Sequence, residues 1–413
     1  MSFAYRDGRL HAEQVSLDEI ARRFGTPCYV YSRAAIESAY GEFARALRGR
    51  DSLICYSVKA NSNLAVLALL ARLGAGFDIV SGGELERVIA AGGNPANTVF
   101  SGVGKSASEM ETALASGIRC FNVESAAELA LLDAVAGRVG KRAPISIRVN
   151  PDVDPRTHPY IATGLKESKF GVAYNDAPAL YRHAAGLAHI DVQGIDCHIG
   201  SQITDLAVYV EAARKMFALV DAIESGGVAL RHIDLGGGLG IRYGDEVTID
   251  PAAYALAVRD LLGQRTHELL FEPGRFLVGE AGLLLTRVLY LKPGETRDFA
   301  VVDAAMNDLL RPALYAAWHP VEAVRPRAGE ARRWQIVGPV CESGDFLAHD
   351  RDLVIAAGDL LAVRAAGAYG FVMSSNYNSR PRACEVVVDG DRVHLARPRE
   401  RIADLFARES MLP

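Results

Sequence analysis

The most restrictive feature of this sequence is a rhythm. Short apolar runs that read as buried strands begin near residues 53 (LICYSV), 77 (FDIV), 98 (TVFS) and 119 (RCFNV), at intervals of 24, 21 and 21 residues. Each interval holds a stretch with helical spacing of apolar residues, such as the one from Asn63 to Gly74. Alternation of this kind builds parallel sheets, because parallel strands need a long crossover and a helix supplies it. The pattern continues with ISIRV (145–149), HIDVQGIDC (189–197), RHIDL (231–235) and ELLF (268–271), with helical stretches at 206–225 and 251–262. Eight such units within about 250 residues predict an α/β fold, a TIM (β/α)8 barrel. An open doubly wound sheet is the competing arrangement. Against it, no GxGxxG follows the first strand, and polar residues follow nearly every strand instead of gathering at one switch point.

Past residue 280 the rhythm changes to β-rich runs (GLLLTRVLYLK, RDFAVVDAA, RRWQIVGPV, ACEVVVDGDRVHLA) broken by Gly, Pro and Asp-Gly turns. The expected partition is a barrel over 30–280 and a second, mainly β domain, barrel- or sandwich-like, from 1–29 and 281–413. The charge-rich stretch from Arg325 to Arg333 reads as a solvated loop. A hydrophobic fraction of 50% supports cores of this size, and a net charge of -5 without a basic stripe makes nucleic acid and anionic membrane poor partners. A small molecule is the default. Cys28, Cys55, Cys120, Cys197, Cys341 and Cys384 show no CxxC spacing, so free thiols in a reducing compartment are expected, and no metal site. The first residues carry no apolar targeting core and stretches such as 64–70 are too short to span a bilayer, so the expected location is cytoplasmic.

The residues at the strand ends are Lys59, Asp78, Ser101, Glu124, Arg148, His198, Gly236 to Gly238, and Glu272. In a barrel they meet at one mouth, the C-terminal face where active sites sit. Lysine is seldom buried, so Lys59 at the end of a core strand either snorkels, pairs with a carboxylate, or forms a Schiff base with an aldehyde cofactor. Gly236, Gly237 and Gly238 follow the seventh strand, where bare backbone N–H groups can cradle a phosphate.

The segments YSVKAN (56–61), GAGFDIVSGGELE (74–86), CHIGSQI (197–203), LGGGLGI (235–241), EPGRFLV (272–278), VVDAAMNDLLRPALY (301–315), GPVCESGDFLA (338–348) and GAYGFVMSSNYNSRPR (367–382) resemble the fold-type III pyridoxal-phosphate decarboxylases. Among these the pattern is that of the diaminopimelate decarboxylase family, from about residue 25 onward. The resemblance implies pyridoxal 5'-phosphate held by Lys59, with His198 stacked on its ring and Ser201 near its phosphate. It places Asp78, Glu84, Arg148, Pro273, Gly274, Arg275 and Tyr369 around the cofactor as well. Glu272 would face the pyridine nitrogen and keep it protonated, which makes the ring an electron sink. A salt bridge between Glu272 and Arg275 is the plainer reading of the same residues.

For the substrate, the resemblance names Arg275, Arg311, Tyr315, Glu342 and Tyr369. A diamino-diacid needs a cation for its distal carboxylate and an anion for its distal ammonium, which an arginine fork and a glutamate supply. Two arginines therefore favour meso-diaminopimelate over ornithine, whose far end is a bare ammonium. Cys341 would be the thiol that protonates the carbon after CO2 departs, reaching the barrel of the other subunit of a homodimer. The implied reaction is conversion of meso-2,6-diaminopimelate to L-lysine and CO2, the last step of bacterial lysine synthesis. Ala305, Ala317 and Cys384 depart from the family pattern, none at a proposed chemical position. The polar segment 158–172 reads as a lid.

Overall fold

The computed structural model describes residues 2–155, 163 and 168–413. Most of the expected lid segment, 158–162 and 164–167, lies outside the described residues. The chain divides into two compact units: Ala39–Ile241 with Val247–Phe276, and Met1–Ser38 with Arg242–Glu246 and Leu277–Pro413. Against expected borders at 30 and 280, this division begins the barrel unit at Ala39 and ends it at Phe276, and it assigns the short piece 242–246 to the second unit.

The first unit is a closed parallel barrel. Its strands are β1 (Ser52–Ser57), β2 (Gly76–Ile79), β3 (Thr98–Phe100), β4 (Cys120–Val123), β5 (Ala143–Asn150), β6 (Ile190–Asp196), β7 (His232–Asp234) and β8 (Glu268–Phe271). Each pairs with the next, and β8 returns to β1 through Phe271 opposite Ile54, which closes the eight-strand ring; a two-residue strand, Val172–Ala173, pairs with β5 in addition. Helices α1 (Leu64–Arg72), α2 (Gly82–Ala90), α3 (Ala107–Ser116), α4 (Ala126–Arg138), α5 (Ala177–Ala185), α6 (Leu206–Ser225) and α7 (Pro251–Leu262) follow the strands. Most start on a side-chain cap that accepts a first-turn N–H: Asn63, Ser81, Ser106, Ser125, Asp205 and Asp250. Such caps satisfy orphan donors and fix where each helix leaves its strand.

Inside the barrel the lining changes character with height. Cys55, Val99, Cys120 and Leu270 form an apolar plug with Leu53 packed on it. Against this plug, Ser146 Oγ lies 2.7 Å from His232 Nε2, both within 4 Å of Cys120 Sγ. The imidazole fills space that Gly194 leaves, since a Cβ there would come within 2.4 Å of the ring. Above this, side chains at the strand ends are polar and still buried.

The second unit is mainly β, as the sequence pattern indicates. Its largest sheet runs in the order β13 (Phe346–Leu353), β12 (Arg332–Val337), β10 (Asp298–Val302), β9 (Gly282–Lys292), the N-terminal strand Cys28–Ser32, β15 (Cys384–Asp389) and β16 (Arg392–Arg397). Two further strands, β11 (Val321–Ala323) and β14 (Leu360–Val363), pair with each other, and β14 pairs with β9. Val30, Leu283, Leu285, Val386 and Val388 pack on Leu10, Leu17 and Ile20 to make its core. Arg325 and Arg327 pair at the surface with Asp18 and Asp359, consistent with a solvated loop. Among the described residues no helix is long and apolar enough to cross a membrane.

Candidate active site

In the barrel unit, Lys59 lies in a 3-10 turn (Val58–Ala60) immediately after β1, so the strand ends one residue earlier than the apolar run LICYSV indicates. Its Nζ donates to Asp78 Oδ2 at 2.8 Å; the lysine side chain keeps 33% of its surface exposed while Asp78 is fully buried. Ser57 and Asp78 are register partners on β1 and β2, and Ser57 Oγ donates to the same carboxylate oxygen at 2.8 Å. The amine is thus held by a buried anion yet remains reachable. Glu84, at the start of α2, accepts the Val80 N–H at 2.7 Å, and burial pushes its carboxyl up to about 7.

Glu272 follows β8 and is 3% exposed. Its Oε1 lies 3.5 Å from both Ser101 Oγ and Asn122 Nδ2, and its Oε2 lies 3.9 Å from His198 Nδ1. That last approach is not an ion pair. The Gly237 N–H donates to His198 Nδ1 at 3.1 Å, so this nitrogen is unprotonated in the described arrangement. Burial, then the charges of Lys59 and Arg148, hold the imidazole well below its ordinary pKa, so it is neutral. Glu272 is pushed the other way, well above the carboxylate range, by burial and then by Asp234, Asp78 and Asp196.

Arg148 knits three strands together. Nη1 donates to Glu124 Oε1 at 3.2 Å, Nη2 to the His198 carbonyl at 3.4 Å, and Nε lies 3.9 Å from Asp196 Oδ2. Glu124 is fixed in turn by the Gly102 and Gly171 N–H groups, each at 3.0 Å. Arg148 therefore supports the loop that carries His198.

The glycine triplet packs tightly between strand ends. A Cβ on Gly237 would lie 2.0 Å from the Glu272 carbonyl oxygen, and one on Gly238, whose φ is +101°, 2.3 Å from the Gly200 carbonyl. Two of its N–H groups point inward: Gly236 donates to Asp234 Oδ1 at 2.8 Å and Gly237 to His198. A phosphate cradle made of all three N–H groups is therefore narrowed to Gly238. Beside it, Arg275 Nη2 donates to Ser201 Oγ at 3.0 Å. Pro273 accepts the Ser57 N–H at 3.3 Å, and Gly274 lets the chain pass the lysine turn, where a Cβ would sit 3.0 Å from Ala60 and Ser57.

The β unit holds the other expected residues. Arg311 opens the short helix Arg311–Tyr315, is 6% exposed, and stacks 4.7 Å over the Tyr243 ring. Its Nη1 lies 2.9 Å from His319 Nε2, whose Nδ1 meets the Arg364 carbonyl at 2.9 Å; the imidazole is thus the tautomer with its proton on Nδ1. Tyr315 is half-buried, and Tyr369 is half-buried with φ +55°. Cys341 and Glu342 are exposed on a loop stapled by buried Asp345, which accepts the Val340 and Met306 N–H groups at 2.8 and 2.6 Å. The other five cysteines are buried. Among the described residues, Cys341 alone is a thiol presented to solvent.

Sequence reasoning missed Asn122, Asp196 and Asp234, all buried in the barrel lining. Asp196 and Asp234 stand two residues before His198 and Gly236, the same-face spacing of a strand, and that signal was available.

On its chemistry alone this barrel mouth suits pyridoxal phosphate. A reachable lysine amine fits its aldehyde, Arg275 with Ser201 and the glycine loop fit its phosphate, and buried Glu272, with no ion-pair partner among the described residues, fits a protonated ring nitrogen. Residues 33–279 match the family model described as "Pyridoxal-dependent decarboxylase, pyridoxal binding domain". A protein of Pseudomonas aeruginosa named diaminopimelate decarboxylase is 60% identical over 412 residues, spanning 100% of this chain and 99% of the relative. The structure of diaminopimelate decarboxylase from Helicobacter pylori complexed with L-lysine superposes with a TM-score of 0.93 at 42% identity, covering 95% of this chain and 99% of that one. That of M. jannaschii diaminopimelate decarboxylase, in co-complex with L-lysine, gives 0.95 at 36% identity, covering 100% and 98%. The chain belongs to the diaminopimelate decarboxylase family, and its cofactor is pyridoxal phosphate.

Proposed function

We propose that this protein is a carboxy-lyase that converts meso-2,6-diaminopimelate to L-lysine and CO2, the last step of bacterial lysine synthesis. The observation that carries the reading is the grouping of Lys59, Asp78, His198 and Glu272 at the C-terminal ends of the barrel strands. Pyridoxal phosphate, when bound, supplies an electron-withdrawing ring that accepts the electron pair left as CO2 departs. Lys59 holds that group covalently through Nζ, with Asp78 steadying the amine when it is charged. Neutral His198 offers a flat face without adding positive charge beside the ring. Glu272 keeps the ring nitrogen protonated, and Arg275 with Ser201 binds the phosphate.

Arg311 is assigned to the distal carboxylate of the substrate, with Tyr315 and Tyr369 beside it and Glu342 for the distal ammonium. His319 fixes the direction of the Arg311 guanidinium. Cys341 Sγ–H delivers the proton that replaces the lost carboxyl group. Its exposure on a stapled loop supports service to a barrel other than its own. We infer a homodimer in which the β unit of one copy supplies Cys341 and Glu342 to the other. A cytoplasmic location fits the family and the five buried free thiols.

The deciding experiment incubates the purified protein with pyridoxal phosphate and meso-diaminopimelate and scores CO2 and L-lysine, with ornithine, arginine and alanine in parallel. L-lysine formed from diaminopimelate alone is expected. Bound cofactor without lysine overturns the substrate roles of Arg311 and Glu342.

A further inference from the structure

Arg148, Asp196 and Asp234 stand side by side on β5, β6 and β7: Asp196 is the register partner of both Arg148 and Asp234. Glu272 completes the group two residues beyond Leu270, the β8 partner of Asp234. Asp196, Asp234 and Glu272 each offer a carboxylate oxygen such that the three lie within 4.8 Å of one another, and none is more than 3% exposed. Like charges opposite one another on adjacent strands repel, and the low dielectric of a barrel interior removes the screening that would make this tolerable.

The surrounding charges do not compensate. Lys59 is committed to Asp78, Arg148 is divided between Glu124 and Asp196, and Arg119 pairs with Glu268. His198 is neutral, and burial holds His232, beneath Asp234, down to about 3. The thiols of Cys55 and Cys197 are pushed up by burial and remain protonated. Among the described residues, the carboxylates of Asp78, Glu124, Asp196, Asp234 and Glu272 thus face the cations of Lys59 and Arg148. Donors are short as well. Asp234 Oδ1 accepts the Gly236 N–H, but among the described residues no side-chain or backbone donor reaches the buried Asp234 Oδ2 and Asp196 Oδ1. Glu272 Oε1 has only the two donors at 3.5 Å.

Acceptor oxygens packed this closely without donors are reconciled by a proton between them. Arg148 Nε, 3.9 Å from Asp196 Oδ2, favours the charged form of Asp196 against the burial and the Asp234 charge that push its carboxyl up, so the proton is placed on the Asp234–Glu272 side of the row. We propose that Asp234 and Glu272 share one proton, so that the two carboxyl groups together carry a single negative charge, and that Asp234 is a positioning residue holding the Glu272 carboxyl group by this hydrogen bond. Burial, with Asp78 adding to it, raises Asp234 to about 7. The sharing keeps the carboxyl that faces the cofactor ring in a fixed plane and prevents two charges from repelling one another there. The inference rests on the assignment of Glu272 to the ring nitrogen only for its catalytic consequence; the shared proton itself belongs to the protein alone.

The test is a charge count on the full-length, cofactor-free chain by native capillary electrophoresis, slightly below the value of about 7 that Asp234 reaches. Asp234→Asn and Glu272→Gln should each migrate with the unmodified protein, because removing one carboxyl relieves the repulsion that retained the shared proton and lets the other carry the single charge. The double variant should lose one charge, the same step as the control Asp260→Asn at an exposed position on α7. A full charge step in either single variant overturns the proposal. If Asp234→Asn does not fold, Glu272→Gln decides it alone. Because no turnover is read, this outcome is independent of the lysine assay: a shared proton without lysine formation refutes the decarboxylase reading and leaves the proton standing.

Discussion

Lys105 offers the sharpest test of how the barrel mouth is held together. Its side chain is fully buried, and its ammonium donates to the carbonyls of Gly102 at 2.8 Å and Asn122 at 2.7 Å and to Glu128 Oε1 at 2.7 Å. All three N–H donors are used. Glu128 Oε2 accepts the Glu124 N–H at 2.9 Å, and Glu124 is the residue that anchors Arg148. Lys105→Met keeps the volume and removes the charge, leaving Glu128 buried with an unmatched oxygen. Breaking a buried pair from one side costs about 3–5 kcal/mol, a large fraction of a total of about 5–15 kcal/mol. The assay is equilibrium urea unfolding of the cofactor-free chain followed by circular dichroism. The double variant Lys105→Met/Glu128→Gln should recover at least half the loss, since the orphaned charge is gone. A loss below about 1 kcal/mol for Lys105→Met would refute the reasoning, because the bonds would then merely match what burying the ammonium costs.

Gly237→Ala drives a Cβ into the Glu272 carbonyl oxygen at 2.0 Å, backbone against backbone, so a loss of about 1–3 kcal/mol or more and weaker cofactor retention are expected, read by thermal unfolding and by the visible absorbance of the bound cofactor. Cys341→Ala should retain the cofactor and lose about 10²–10⁴-fold in turnover; a normal rate would mean another proton donor. Burial pushes Asp308 up to about 6, so in the folded chain it stays protonated where the unfolded chain has already ionised. Its stabilising contribution is full below the ordinary aspartate value and fades as pH rises through about 6, by about 3 kcal/mol for a shift of about two units. Asp308→Asn should flatten that part of the curve of melting temperature against pH, and an unchanged slope would refute the assignment.

The barrel was legible because its strands are uninterrupted apolar runs at a steady interval, and because Lys59, His198 and Glu272 stand at run ends where packing alone gives them no purpose. Asp196 and Asp234 were not, although they lie inside such runs. In IDC and IDL an aspartate can point into the barrel or toward the helices, and the choice depends on the stagger between neighbouring strands, which no local pattern encodes. Lys105 and Glu128 were hidden for a related reason: each looks like an ordinary surface charge near a helix start, and they meet only because β3 and β4 are neighbours. Which glycine N–H groups are already engaged likewise depends on where His198 and Asp234 lie.

In the sheet of the β unit, strand Cys28–Ser32 is an interior strand, with Cys28 opposite Leu285 on one side and Cys384 on the other. A ribosome releases that segment early and its two neighbours late. At about 5–20 residues per second, the wait for the second neighbour is on the order of twenty seconds to a minute. Until the first neighbour, Gly282–Lys292, emerges, the barrel strands appear in order and can close on one another, while CYVYS, apolar and β-prone, has nothing to pair with. The nascent chain therefore carries an adhesive segment through most of its synthesis. Translation speed and chaperone supply, more than final stability, are the levers expected to govern its yield in a foreign host.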